Sequence, residues 1–261
     1  MDLVERDLAN AANIVLNGYF AAARRLEDCD GLAALPLFMS LRAAIRAKVT
    51  AARLDRCKES ERASISASAQ RYFDLARELL RAATPAVVCT AGLSGTGKSL
   101  LARALARFLP PLPGAVVLRS DVERKVMFGR DENARLPPEA YHLDVSERLY
   151  ADLNDKAGRI ARAGHSVVVD AVFAKPAERA RIEAVARDAK AGFYGLFLTA
   201  DLATRLRRVG TRGPDASDAD TAVAQHQEAF DLGQVTWNTI DATGTPDETL
   251  ARARAIVRRA P

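Results

Sequence analysis

Long apolar runs are missing from this chain of 261 residues, and no stretch approaches the roughly 18 consecutive apolar residues needed to cross a bilayer. Helical membrane integration is not expected. Cysteine is scarce: Cys29, Cys57 and Cys89 are odd in number, far apart and without the close pairing of a zinc site or redox motif. That usage fits a reduced compartment. The opening Met1-Asp2-Leu3-Val4-Glu5-Arg6-Asp7 also lacks the basic start and apolar centre of a secretory signal, so a cytoplasmic location is expected. Aromatic residues make up only 6% of the chain and form no stripe with basic residues, which argues against a groove for single-stranded nucleic acid. The net charge of +5 comes from scattered arginines rather than a Lys/Arg block. It suits acidic small molecules better than a polyanion.

What is present divides in two. Up to about Ala83 the apolar residues recur at helical spacing. Leu8, Ala12, Val15, Tyr19 and Leu26 mark one expected helix, Phe38, Leu41, Ile45 and Val49 a second, and Ile65, Ala69, Tyr72, Phe73, Ala76 and Leu80 a third. About 80 residues make a marginal core, so this segment is expected to lean on the rest of the chain. Beyond Thr84-Pro85, short apolar runs (86–91, 115–119, 166–170, 193–199 and 235–241) alternate with helical patterns (97–108, 137–163, 175–191 and 219–230). That order predicts an α/β domain over 84–261 with a parallel sheet covered on both faces. Thr245, Pro246 and Glu248 predict a capping box at the start of a final helix.

Directly after the first apolar run stands Gly92-Leu93-Ser94-Gly95-Thr96-Gly97-Lys98-Ser99, followed by Leu100 and a helical pattern. Every position of the phosphate-cradling motif G-x-x-x-x-G-K-[ST] is filled, and it lies between a strand and a helix as its mechanism requires. Backbone amides and the helix N-terminus favour phosphate, Lys98 reaches the β- and γ-phosphates, and Ser99 is suited to ligate Mg²⁺. ATP is the expected nucleotide, contacted by the segment Gly92–Leu100. Asp170, which closes His165-Ser166-Val167-Val168-Val169-Asp170, is the expected second metal ligand.

On the acceptor side, Leu118-Arg119-Ser120-Asp121 ends the second run, where an open α/β sheet binds its ligands. Asp121 can accept the proton of an attacking hydroxyl, and Arg124, one helical turn on, can hold a polar or anionic substrate. The alternative is that Asp121 or Ser120 only caps a helix and Arg124 is solvated. Farther along, Arg205, Arg207, Arg208 and Arg212 precede Gly213-Pro214 in the place of a closing lid. Arg208 and Arg212 are the expected catalytic pair. The carboxylates Asp215, Asp218 and Asp220 suit turn and cap chemistry better than a metal cluster. His142, His165 and His226 carry no site expectation.

These segments, together with Val167-Val168-Val169-Asp170-Ala171-Val172-Phe173 and the run from Arg212 to Ala219, resemble the P-loop kinase domain fused behind aminoglycoside-phosphotransferase-like domains. More remotely the chain is similar to polynucleotide kinase, zeta toxin and chloramphenicol phosphotransferase. The resemblance implies a nucleoside-kinase-like sheet of order 2-3-1-4-5, a base role for Asp121, and adenine held between the lid and Thr243-Gly244. Residues 1–83, particularly 37–49, resemble the C-terminal helices of the aminoglycoside-phosphotransferase-like fold. No His-x-Asp-x-x-x-x-Asn loop and no Asp-Phe-Gly-like sequence precede Pro85, so that part carries no such activity itself. The leading expectation is transfer of phosphate from Mg-ATP to a hydroxyl of a small molecule. A nucleotide-sensing or scaffolding module and a 5′-hydroxyl nucleic-acid kinase are the two alternatives.

Overall fold

The computed structural model describes residues 1–211 and 215–258. Five helices lead the chain: α1 (Asp2–Glu5), α2 (Ala9–Ala23), α3 (Glu27–Gly31), α4 (Leu35–Ala51) and α5 (Glu59–Leu79). Strands and helices then alternate as β1 (Ala86–Ala91), α6 (Lys98–Ala106), β2 (Val116–Arg119), α7 (Ser120–Met127), α8 (Leu143–Arg162), β3 (Val167–Asp170) and α9 (Pro176–Asp188). The remainder is β4 (Gly192–Thr199), α10 (Leu202–Gly210), α11 (Thr221–His226), β5 (Asn238–Asp241) and α12 (Pro246–Arg258). All described pairings are parallel, in the order β2-β3-β1-β4-β5. This is the expected 2-3-1-4-5 α/β fold.

Because side chains alternate along a strand, β1 serves two cores. Val87, Cys89 and Ala91 join α8 and α9 on one face, while Ala86 and Val88 join α6 and α12 on the other. The fifth strand is shorter than its apolar run, for Val235 and Trp237 lie outside it. Trp237 packs into the first core so closely that a Cβ on Gly195 would lie 2.3 Å from its ring. The final helix starts as expected, with Glu248 accepting from the Thr245 amide (2.9 Å) and Thr245 Oγ1 from the Glu248 amide (3.3 Å).

The N-terminal helices form where expected; α5 buries Ile65, Tyr72 and Ala76 as its spacing predicts, whereas α2 and α4 turn different faces inward. Val15, Tyr19, Phe38, Leu41, Ile45 and Val49 are exposed. The buried face of α4 is instead Met39, Ser40, Ala43 and Ala47. Small side chains let α4 and α5 approach closely, and Ser40 Oγ donates to the Ala76 carbonyl at 2.8 Å. In α2 the inward residues are Ala12, Asn13, Leu16, Asn17 and Phe20. The two asparagines treat β2 as a missing strand would, because both side-chain amides donate to the Ala115 carbonyl and Asn17 Oδ1 accepts from the Val117 amide at 2.7 Å. Two backbone groups on the outer edge of the sheet, the Ala115 carbonyl and the Val117 amide, are thereby satisfied. Cys29 and Leu32 enter the main core, which ties the segment to the sheet.

Candidate functional site

Parallel register sets one row of residues side by side at the carboxyl end of the sheet: Arg119 opposite Asp170, and Asp170 opposite Thr90. The turn that follows β1 begins at Gly92 and runs into α6, with Lys98 as its first helical residue. Gly92 (φ 131°) and Gly95 (φ 86°) hold conformations that favour glycine, and a Cβ would lie 2.4 Å from the Leu198 carbonyl oxygen or 2.6 Å from that of Arg205. The first turn of α6 leaves its amides without intrahelical acceptors, which is the physical basis of an anion cradle. Lys98 is buried at its mouth.

Asp170 is 3% exposed, and its Oδ1 has no hydrogen-bond partner among the described residues. Burial pushes its carboxyl above the ordinary range, opposed by Lys98, the Ser99 hydroxyl and Arg119. A buried carboxylate oxygen with an open lone pair beside a serine hydroxyl is a donor set that fits Mg²⁺. Asp121, in the first turn of α7, is half-buried and has no hydrogen-bond or ion-pair partner among the described residues. Its charge is felt by Asp170, Arg119, Arg124 and Tyr141, so it stands near these groups at the carboxyl end of the sheet.

Arg124 lies one turn along on the same side of α7, but both terminal nitrogens of its guanidinium are engaged. They go to the Ala140 carbonyl and to Ser146 Oγ (3.3 Å), and its guanidinium sits 4.9 Å from the Tyr141 ring centroid. The solvated alternative for Arg124 is therefore wrong; desolvation holds its pKa below the usual value. Arg208 donates to the carbonyls of Ala242 (2.8 Å), Thr243 (3.3 Å) and Gly244 (3.0 Å). It thereby overhangs a cavity of about 410 Å³ between Thr96, Gly97, Leu100, Pro246 and Leu250. Arg212 and Gly213 lie outside the described residues.

Several residues that the sequence reading passed over are central to this end of the molecule. Burial works against the charge of Arg119, yet Asp215, Asp170 and Asp121 together hold its pKa above the ordinary value. It meets Asp215 at 2.9 Å, Glu132 at 3.4 Å and Asp170 at 3.5 Å. Lys125, only 1% exposed, pairs with Asp218 at 2.8 Å, and Tyr141 also donates to Asp218 at 2.7 Å. Asp220 caps α11 by accepting from the Val223 amide, the cap chemistry expected of this run. Asp215 and Asp218 go further and fasten residues 215–220 to β2 and α7.

Arg205 is the buried arginine of α10. Its Nε donates to the Ser94 carbonyl at 2.8 Å, and its other nitrogens reach the Ala224 carbonyl and Glu228. The Ser94 amide in turn donates to Gln227 Oε1 at 2.7 Å. A signal for Arg205 did exist: it lies four residues before Val209 and three after Leu202, on the apolar side of α10.

Comparison with known proteins follows the same lines. The family model described as "AAA domain" matches residues 87–231, more than half of the chain. The uncharacterized protein Rv2004c of Mycobacterium tuberculosis is 29% identical over 256 residues, covering 94% of this chain and 49% of that protein. The chain thus spans about half the length of the curated relatives it matches. Among solved structures, a putative kinase from Chloroflexus aurantiacus has a TM-score of 0.51 at 20% identity, covering 69% of this chain and 100% of the other. The Mycobacterium tuberculosis APS kinase, solved with AMPPNP and APS, has a TM-score of 0.50 at 23% identity, covering 67% and 96%. These two likenesses are of fold alone, the five-stranded parallel sheet with its covering helices.

Proposed function

The chain belongs to the AAA domain family, and from that premise we propose that it transfers the γ-phosphate of Mg-ATP to a hydroxyl group of a small molecule. The observation that carries this reading is Asp121, a half-buried carboxylate without a partner among the described residues, near Asp170 at the carboxyl end of the sheet. A phosphate cradle alone suits any P-loop ATPase; a free carboxylate beside it supplies an acceptor side.

In this reading the amides of Gly92–Leu100 and the Lys98 ammonium hold the triphosphate, and adenine enters the cavity beside Thr243 and Gly244. Ser99 and Asp170 would hold Mg²⁺, whose charge neutralises phosphate oxygens when it is bound. Asp121 accepts a hydrogen bond from the acceptor hydroxyl, orients its oxygen toward the γ-phosphorus and takes the proton. Arg124, on the same side of α7, shapes the acceptor wall and contributes positive charge to an anionic or polar substrate. Arg208 and Arg212 neutralise the transferring phosphoryl group as the segment closes. Residues 84–261 form the phosphotransfer unit and residues 1–83 a helical appendage.

The test is acceptor-dependent ADP release across a panel of metabolites and oligonucleotides with Mg-ATP. Asp121→Asn is expected to lower turnover about a hundredfold or more while AMPPNP affinity changes less than about threefold. Equal turnover in the two proteins would remove Asp121 from the mechanism. The exposed apolar side chains of α4 favour a second reading, a nucleotide-dependent binding module. Acceptor-dependent turnover by the purified chain excludes it.

A further inference from the structure

A second cavity, of about 320 Å³, lies behind α7, between that helix, the edge strand β2 and the N-terminal helix α2. Its one shared wall with the candidate site is Arg119, which lines the cavity and also meets Asp170 at 3.5 Å. Val122 and Glu123 line it, whereas Asp121 and Arg124 project from the other side of the same helix. Ile14, Phe20, Val117, Leu118 and Val122 make its walls largely apolar. Its size falls in the range of about 300–1,000 Å³ usual for small-molecule pockets.

The charges around it are unbalanced. Lys156 is paired with Glu123, and Arg119 with Glu132, Asp170 and Asp215. Arg24, Arg25 and Arg103 also line the cavity and enter no ion pair among the described residues; only Arg24 Nε is engaged, with the Ala21 carbonyl. Arg24 and Arg25, which have no carboxylate partner among the described residues, and Arg103, whose charge is partly taken up by Asp215, stand around an apolar chamber, and their complement is an anionic head on a compact apolar body.

We propose that this cavity is a second ligand site, distinct from the nucleotide and acceptor crevice, for a small amphipathic anion such as an aryl or alkyl phosphate or carboxylate. It stands whether or not the chain is a phosphotransferase. Recognition divides between the two halves of the ligand. The apolar body displaces water from the α2–β2 wall, and the head group bridges arginines contributed by α6 and by the end of α2.

Phenyl phosphate, inorganic phosphate and benzyl alcohol are the probes, titrated calorimetrically into protein saturated with Mg-AMPPNP so that the P-loop is filled. Phenyl phosphate is expected to bind at least about tenfold more tightly than either half alone. Gly18 lines the cavity, and a Cβ added there meets nothing within 4 Å, so Gly18→Trp can fill the chamber without a backbone clash. That variant, and separately Arg25→Ala/Arg103→Ala on exposed side chains, should each weaken phenyl phosphate about tenfold or more with AMPPNP affinity unchanged. Equal binding of phenyl phosphate and inorganic phosphate, no binding, or affinity unaffected by both variants would overturn the proposal.

Discussion

Gly95 shows how tightly single residues are constrained around the phosphate cradle. A methyl group there must adopt φ near 86° and would meet Arg205 backbone atoms at 2.6 and 2.8 Å. Gly95→Ala is therefore expected to cost about 2 kcal/mol or more and to weaken AMPPNP binding, read by thermal melting and titration calorimetry. The thiols offer a second check. Burial pushes the Cys29 thiol up to about 11 and the Cys89 thiol well above its ordinary value, while Cys57 is only partly covered. Iodoacetamide at pH 8 should label Cys57 first, as mass spectrometry of the folded protein can show, and rapid labelling of Cys89 would contradict the packing of β1. At this scale the cradle was the legible part of the sequence, because each motif position is demanded by phosphate geometry. Arg119 was not, because its importance arises from register: only after β2 aligns with β3 does it stand opposite Asp170.

Elements show why helices were easier to place than their faces. The period of α4 was readable, but large apolar side chains suggested the wrong side. Close approach to α5 selected Ala43, Ala47 and Ser40 and left Phe38 and Ile45 outside. Strand ends were similarly blurred at β5, where Trp237 continues the apolar run but packs as a plug rather than a paired residue. The segment over the acceptor side supplies a prediction about pH. Burial disfavours the Asp218 carboxylate, but Lys125, Tyr141 and the Leu136 amide outweigh it and depress its pKa. A depressed carboxylate contributes stability that is present above the unfolded value, about 3.9, and is lost as pH falls through the folded one. Asp218→Asn should thus lower the melting temperature at pH 7, and the gap from the parent protein should narrow on acidification toward pH 3. Asp218→Ala leaves the buried Lys125 ammonium without its carboxylate, at a cost of about 3 kcal/mol. A pH-independent gap for Asp218→Asn would show that the ion pair contributes nothing.

Taken whole, the molecule depends on contacts between its two halves that composition alone could not reveal. Asn13 and Asn17 read as ordinary polar residues on a helix, yet they satisfy two backbone groups on the outer edge of the sheet from about a hundred positions away. A fragment of residues 84–261 would present that edge to solvent, and light scattering should find it self-associating where the full chain is monodisperse. A monodisperse, fully active fragment would show α2 to be dispensable. The other long-range tie concerns Ser94, whose carbonyl is held by Arg205 and whose amide is held by Gln227, 111 and 133 positions downstream. For protein engineering, this makes the cradle and the stretch from Asp201 to Ala229 a single interchangeable cassette. A chimera that imports a relative's phosphate loop without its partner stretch inherits a peptide group gripped by strangers. Recombination that moves both together keeps the grip intact.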